Sequence, residues 1–176
     1  ADISGNRLDG IYKGDVVLGA KPAYPQLGTA ALFGGSKARV HIPRNDTFKF
    51  GKADFSIEFW FNCREKMDTR GDILVFKGGG MDFAFFKPVG NTNLLAFASP
   101  GRAFQAQTDS LSLGSWHHAV YVRAANVYQW YVDGEISGTA TGHVMNIDMN
   151  ADILIGANHY NNPEEIDEFC LWNGLI

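Results

Sequence analysis

The sequence predicts an all-β protein, with two antiparallel sheets packed face to face as a sandwich or jelly roll. Three observations carry this. Nearly every patterned segment repeats with period two and almost none with period 3.6. Short strand patterns recur along the chain, each bounded by Gly, Pro, Asn or Asp, at the spacing of sandwiches and not of parallel α/β sheets. Hydrophobic residues make up 45% of the chain and aromatics 13%, against 19% charged, which excludes disorder and calls for burial between two layers.

Taken in order, the strand candidates are 30–33, 38–42, 55–63, 73–77, 82–87, 93–98, 103–107, 116–123, 127–133, 135–140, 152–156 and 166–172. The segment 55–63 alternates most clearly. Phe55, Ile57, Phe59 and Phe61 are assigned to its inner face, and Ser56, Glu58, Trp60 and Asn62 to its outer face. Asp133-Gly134, between two such runs, is the strongest hairpin signal, because both residues tolerate positive φ in a two-residue turn. Gly78-Gly79-Gly80 reads as a turn; a phosphate cradle would need a helix to follow, and a strand follows instead. The one helix-like candidate, Pro163-Glu164-Glu165-Ile166, is too short for more than a single turn.

At 176 residues the chain reads as one domain able to close a core without staples. No linker or repeat divides it. A formal net charge of −4 with no Lys/Arg cluster excludes a phosphate-backbone binder. No apolar run approaches the length of a membrane span and no leader pattern is present, so nothing in the sequence spans a membrane or directs export. Cys63 and Cys170 lie in apolar strand patterns and read as free, buried thiols more readily than as a bridge. Asn45-Asp46-Thr47 is a sequon, relevant in a secreted eukaryotic protein. Arg70-Gly71-Asp72 reads as a loop entering a strand.

The strand at the end of the chain decides the reading about catalysis. A retaining glycosidase needs two carboxyl groups about 5 Å apart, which on one strand fall at i, i+2 and i+4 together with an orienting acid. Glu165 and Asp167 share a face, but the next position on it is Phe169, and allowing for a bulge reaches Cys170. Glu168 points the other way. No second catalytic carboxylate is in register, and the reading is of binding without bond cleavage. His117 and His118 are adjacent and face opposite ways, which excludes them as joint metal ligands. Ser, His and Asp are all present, but no Ser sits in a nucleophile elbow.

Seven short motifs occur in a telling order: Asp2-Ile3-Ser4-Gly5-Asn6-Arg7-Leu8-Asp9-Gly10, Gly28 to Gly35, Phe55 to Trp60, Trp116-His117-His118-Ala119-Val120, Tyr131-Val132-Asp133-Gly134, Ile153 to Ala157, and Ile166-Asp167-Glu168. In that order they resemble a laminin G-like jelly-roll domain of the concanavalin A-like lectin/glucanase superfamily, over essentially the whole chain. The resemblance implies the fold first, since such folds host lectins, adhesion domains, glycanases and virion surface proteins. It also implies calcium in a structural role, with Asp2, Asn6 and Asp167 as ligands; the alternative is that Asp2 and Asn6 hold an Asx-type turn. A strand that usually precedes the Asp2 motif is missing, which implies a module of a larger chain or assembly, or an open sheet edge that other protein subunits could extend.

For a lectin-like module, sugar stacks on an exposed ring and exchanges hydrogen bonds at a rim. The candidates are the loop Asn158-His159-Tyr160-Asn161-Asn162, the outward-facing Trp60 and Tyr131, and Arg102 with Phe104. The expected function is therefore a non-catalytic, carbohydrate-binding module that recognises a glycan or glycoprotein in an extracellular, cell-surface or virion-surface setting. The alternative is a structural module such as a virion decoration, tail-fibre or adhesin domain, and a glycoside hydrolase is a distant third.

Overall fold

The protein is described from a computed structural model, over residues 2–35, 37–63, 71–77, 81–86, 94–98, 108–109, 111–142, 144, 146–148, 152–156 and 164–176. The strands in chain order are β1 (Ile11–Lys13), β2 (Val16–Ala20), β3 (Ala30–Phe33), β4 (Arg39–Ile42), β5 (Lys49–Gly51), β6 (Phe55–Cys63), β7 (Gly71–Lys77), β8 (Met81–Phe86), β9 (Leu94–Ala98), β10 (His117–Ala124), β11 (Val127–Val132), β12 (Glu135–Thr141), β13 (Ile147–Asp148), β14 (Asp152–Ile155) and β15 (Glu164–Trp172). They form a six-stranded sheet ordered β1-β4-β14-β7-β8-β9 and a seven-stranded sheet ordered β12-β11-β10-β6-β15-β3-β2, with β13 and β5 as a small third pair. Every pairing is antiparallel. The all-β sandwich expected from the period-two pattern is the architecture found. No helix among the described residues is long and apolar enough to cross a membrane.

The core lies between the two large sheets. Phe55, Ile57, Phe59 and Phe61 of β6 are buried, as their alternation demands, together with Ala119 and Tyr121 of β10, and Tyr128, Trp130 and Val132 of β11. Ile73 and Leu74 of β7, and Ile153 and Ile155 of β14, enter the same cluster from the opposing sheet. The predicted β11–β12 hairpin is present, with φ of +52° at Asp133 and a left-handed Gly134. That geometry fits the right-handed twist of the flanking strands.

Two expectations are corrected. Among the described residues, helical structure is confined to two single 3-10 turns, Pro25–Leu27 and Asp46–Phe48, while Glu164, Glu165 and Ile166 begin β15 as extended chain paired to β3 and β6 on either side. Asn45 caps the second turn by accepting from the backbone N–H of Thr47. In β15 the register against β6 slips between Asp167 and Cys170, so that three residues there span two residues of β6. Glu168 absorbs the bulge with φ of +45°. The slip reverses the facing of everything after it. Phe169 therefore packs inward against Phe59 at a centroid distance of 6.4 Å, and the outward slot after Asp167 belongs to Cys170, opposite Glu58. The predicted turn at 78–80, the strand at 103–107 and Arg70 lie outside the described residues.

Candidate functional site

The outer face of the seven-stranded sheet carries the strongest concentration of side chains able to meet a ligand. Strand pairing lays them in rows. His118, Trp60 and Asp167 form one row across β10, β6 and β15; Tyr131, Val120, Glu58 and Cys170 form the next across β11, β10, β6 and β15; Asn62 faces Glu165 on the other side of the Trp60 row. Trp60 is half-buried. Its ring lies 4.8 Å from that of His118 with 32° between the planes, and Tyr24, from the turn before β3, meets it edge-on at 5.0 Å. His118 Nε2 bonds Glu58 Oε1 at 2.8 Å, and Trp172 Nε1 donates to Glu58 Oε2 at 3.4 Å. A carboxylate bonded on both oxygens is held in one orientation beside the indole ring.

Beyond Trp60 the face turns polar and buried. Glu165, Asp167 and Asn62 are 2%, 7% and 7% exposed. Asn62 Nδ2 donates to Glu165 Oε2 at 3.1 Å, and Asp167 Oδ1 accepts from the Glu168 backbone N–H at 3.1 Å. Asp167 Oδ2 and Asn62 Oδ1 have no hydrogen-bond partner among the described residues. A buried oxygen without a donor costs about 1–3 kcal/mol, so these two acceptors place a standing demand for donors next to the Trp60 ring.

The thiol of Cys170, and not the ring of Phe169, follows Glu165 and Asp167 on the outward face. The thiol's pKa is raised, first by burial and then by the carboxylates of Glu58 and Glu168, so the apolar setting expected for this cysteine is corrected to an acidic one. Cys63 is buried, and the two cysteines are not joined in a disulfide.

His117 and His118 face opposite ways, as adjacent strand residues must. His117 Nδ1 contacts Asp133 Oδ2 at 2.8 Å, and its Nε2 lies 2.9 Å from Ser112 Oγ. The connectivity is that of a hydrolase triad. Yet Nε2 is shared with the Ser112 carbonyl at 3.2 Å, and Asp133 also accepts from the His118 backbone N–H. The imidazole fastens the Asp133-Gly134 turn to the segment before β10.

Among the residues expected to bind metal, Asp2 and Asn6 belong to one loop and Asp167 to β15. Asp2 Oδ1 accepts from the Ser4 backbone N–H, and its Oδ2 accepts from the Ser4 hydroxyl and the Leu8 backbone N–H. Asn6 donates to Ser4 Oγ from both its backbone and its side chain. The pKa of Asp2 is lowered chiefly by the Leu8 N–H, then by Ser4. Both of its oxygens thus face donors, the Asx-type arrangement, which does not fit a calcium cage built on Asp2 and Asn6. No group of three or more His, Cys, Asp or Glu among the described residues is arranged to hold a metal ion.

Tyr131 lies on the outward face as expected, with its hydroxyl 3.3 Å from Gln129 Oε1. Asn158, His159, Tyr160, Asn161 and Arg102 lie outside the described residues. Sequence reasoning missed Glu58, His118, Tyr24 and Trp172. The first shares its face with Trp60 two residues on and was legible; Trp172 was not, because only the bulge turns it outward.

The chain resembles solved structures at low identity. The binding domain of botulinum neurotoxin DC, in complex with SialylT, superposes with a TM-score of 0.74 and 17% identity, over 99% of this chain and 45% of that one. Domain 4 of AbnA, an extracellular GH43 arabinanase from Geobacillus stearothermophilus, in complex with arabinotriose, gives 0.66 and 16%, over 92% and 76%. A Trypanosoma rangeli sialidase gives 0.66 and 15%, over 90% of this chain and 26% of that one. The chain therefore spans about a quarter of the sialidase and under half of the neurotoxin binding domain. These likenesses show the fold; no curated protein matches the chain. The family Laminin_G_3 matches residues 33–176, and the chain belongs to this family of the concanavalin A-like lectin/glucanases superfamily.

Proposed function

We propose that this domain is a non-catalytic, glycan-binding module of an extracellular or surface protein, and that it holds a neutral saccharide on the outer face of the seven-stranded sheet. The observation that carries the reading is the half-buried Trp60 ring with Glu58 locked in place beside it by His118 and Trp172. A sugar offers an apolar ring face to an indole and hydroxyl donors to nearby acceptors. Glu58, Glu165 and Asp167 make this face acidic, which disfavours negatively charged saccharides there. The saccharide complexes of the structurally similar neurotoxin and arabinanase domains support glycans as the ligand class. The test is a glycan array followed by calorimetry on wild type and Trp60→Ala. Binding of neutral oligosaccharides that the substitution weakens is expected; equal binding by both proteins would overturn the site.

The exposed apolar residues of β1 and β2 favour a second reading as an interaction module. Ile11, Tyr12, Val17 and Leu18 are each at least half exposed, on strands that form the edges of the two large sheets. An open edge invites strand addition by a partner. Cross-linking and light scattering of wild type and Val17→Lys separate this reading from the first.

A further inference from the structure

Lys13 and Arg39 stand directly opposite each other across the β1–β4 pair, on the outer face of the six-stranded sheet and away from the Trp60 surface. Like charges so placed destabilise a sheet. With His41, Asp152 and Leu154 they line one depression. Lys13 Nζ lies 2.9 Å from His41 Nδ1. His41 Nε2 lies 3.0 Å from Asp152 Oδ2, and Asp152 Oδ1 accepts from the Arg44 backbone N–H at 3.0 Å. The carboxylate in the lining is thus already engaged by an imidazole and an amide. Arg39 donates to the Lys37 carbonyl, and neither Lys13 nor Arg39 has a carboxylate partner among the described residues. Two cations facing one another, without a counter-charge of their own, are accounted for by a bridging anion.

We propose that Lys13 and Arg39, beside His41, form a site for the oxyanion of an acidic saccharide, a carboxylate or sulfate group carried on a sugar ring. Arg39 supplies a planar fork that matches either group, and Lys13 supplies a point charge. The buried Leu154 and the exposed Ile11, each directly opposite His41 in its own strand pair, offer apolar surface to the carbon face of the ring. A single anionic group fits this site; a repeating phosphate backbone would need a basic stripe, which the chain lacks. The site is independent of the neutral-sugar surface on the other sheet.

The test is an amide NMR titration of the domain with four probes: sialyllactose, a sulfated disaccharide, lactose and inorganic sulfate. The expected result is shifts confined to residues 11–13, 39–41 and 152–154 with one or both acidic sugars, weakening as salt is added. The double variant Lys13→Gln/Arg39→Gln, with its native spectrum retained, binds at least about tenfold more weakly, the scale set by losing charge-assisted hydrogen bonds. Trp60→Ala leaves this binding unchanged. The stronger of the two acidic probes identifies carboxylate or sulfate. The proposal is overturned if neither acidic sugar shifts these amides, if the double variant binds as well as wild type, or if lactose or free sulfate shifts these same amides as strongly as the acidic sugars.

Discussion

The ring of Trp60 lies over that of His118, 4.8 Å between centroids and 32° between planes, and the same imidazole holds Glu58 at 2.8 Å. One histidine thereby orients both an aromatic platform and an acceptor. Trp60→Ala should weaken saccharide binding by about 1–2 kcal/mol, roughly five- to thirtyfold, with the β-rich circular dichroism retained. Calorimetry on the two proteins checks this.

Arg123 is fully buried on β10. Its guanidinium donates to the carbonyls of Ala53 and Gly51 and lies over the Phe55 ring at 4.7 Å. Burial lowers its pKa from the ordinary value. Arg123→Ala leaves two carbonyls without this donor and opens a cavity, so a loss of about 3 kcal/mol is expected. Thermal melting should fall by roughly 6–12 °C.

Gly156 follows β14 with φ of +67°, and a Cβ there would clash with the Phe33 ring. Gly156→Ala combines left-handed strain with overpacking against a buried aromatic, about 2–4 kcal/mol in total. Urea titration should show a lower midpoint with an unchanged slope.

Asp2 holds its loop through the Leu8 and Ser4 N–H groups, and these lower its folded pKa. A lowered carboxylate pKa contributes order that is fully present above the unfolded value and is lost as pH falls through the folded value. The protection of the Ser4 and Leu8 amides against exchange, relative to the intrinsic rate at each pH, should hold at neutral pH and be lost only below the ordinary aspartate range. Asp2→Ala should lack that protection at every pH.

Cys170 has a thiol whose pKa is raised by burial and by Glu58 and Glu168. The thiolate is the reactive form, so alkylation should be slow at neutral pH and should accelerate at higher pH than for an ordinary cysteine. Glu58→Gln should shift that rise back toward lower pH, which a rate profile with iodoacetamide reads directly.

Much of this was legible from side-chain alternation alone. Phe55, Ile57, Phe59 and Phe61 could face only one way once β6 was recognised, and Asp133-Gly134 could form only a tight turn. The face of Trp60 followed from the same count. The count failed after Asp167, where an added residue in β15 moved Phe169 inward and Cys170 and Trp172 outward; period two is a local rule, and a bulge is decided by the neighbouring strand. The short stretch at Glu164 to Ile166 was misread for a related reason: its extended form is set by pairing with β3 on one side and β6 on the other, contacts more than a hundred residues away in sequence.

The sequence by itself determined the fold class, the inner face of each long strand, the opposed facing of His117 and His118, and the lack of a third outward acid after Asp167, because these depend on residue type and spacing within one segment. Only the tertiary structure decided that His118 joins Trp60 to Glu58, that Asp2 faces donors, and that Lys13 stands opposite Arg39. Each of these is a meeting across strands, fixed by the register of hydrogen-bonded neighbours, which no single segment encodes.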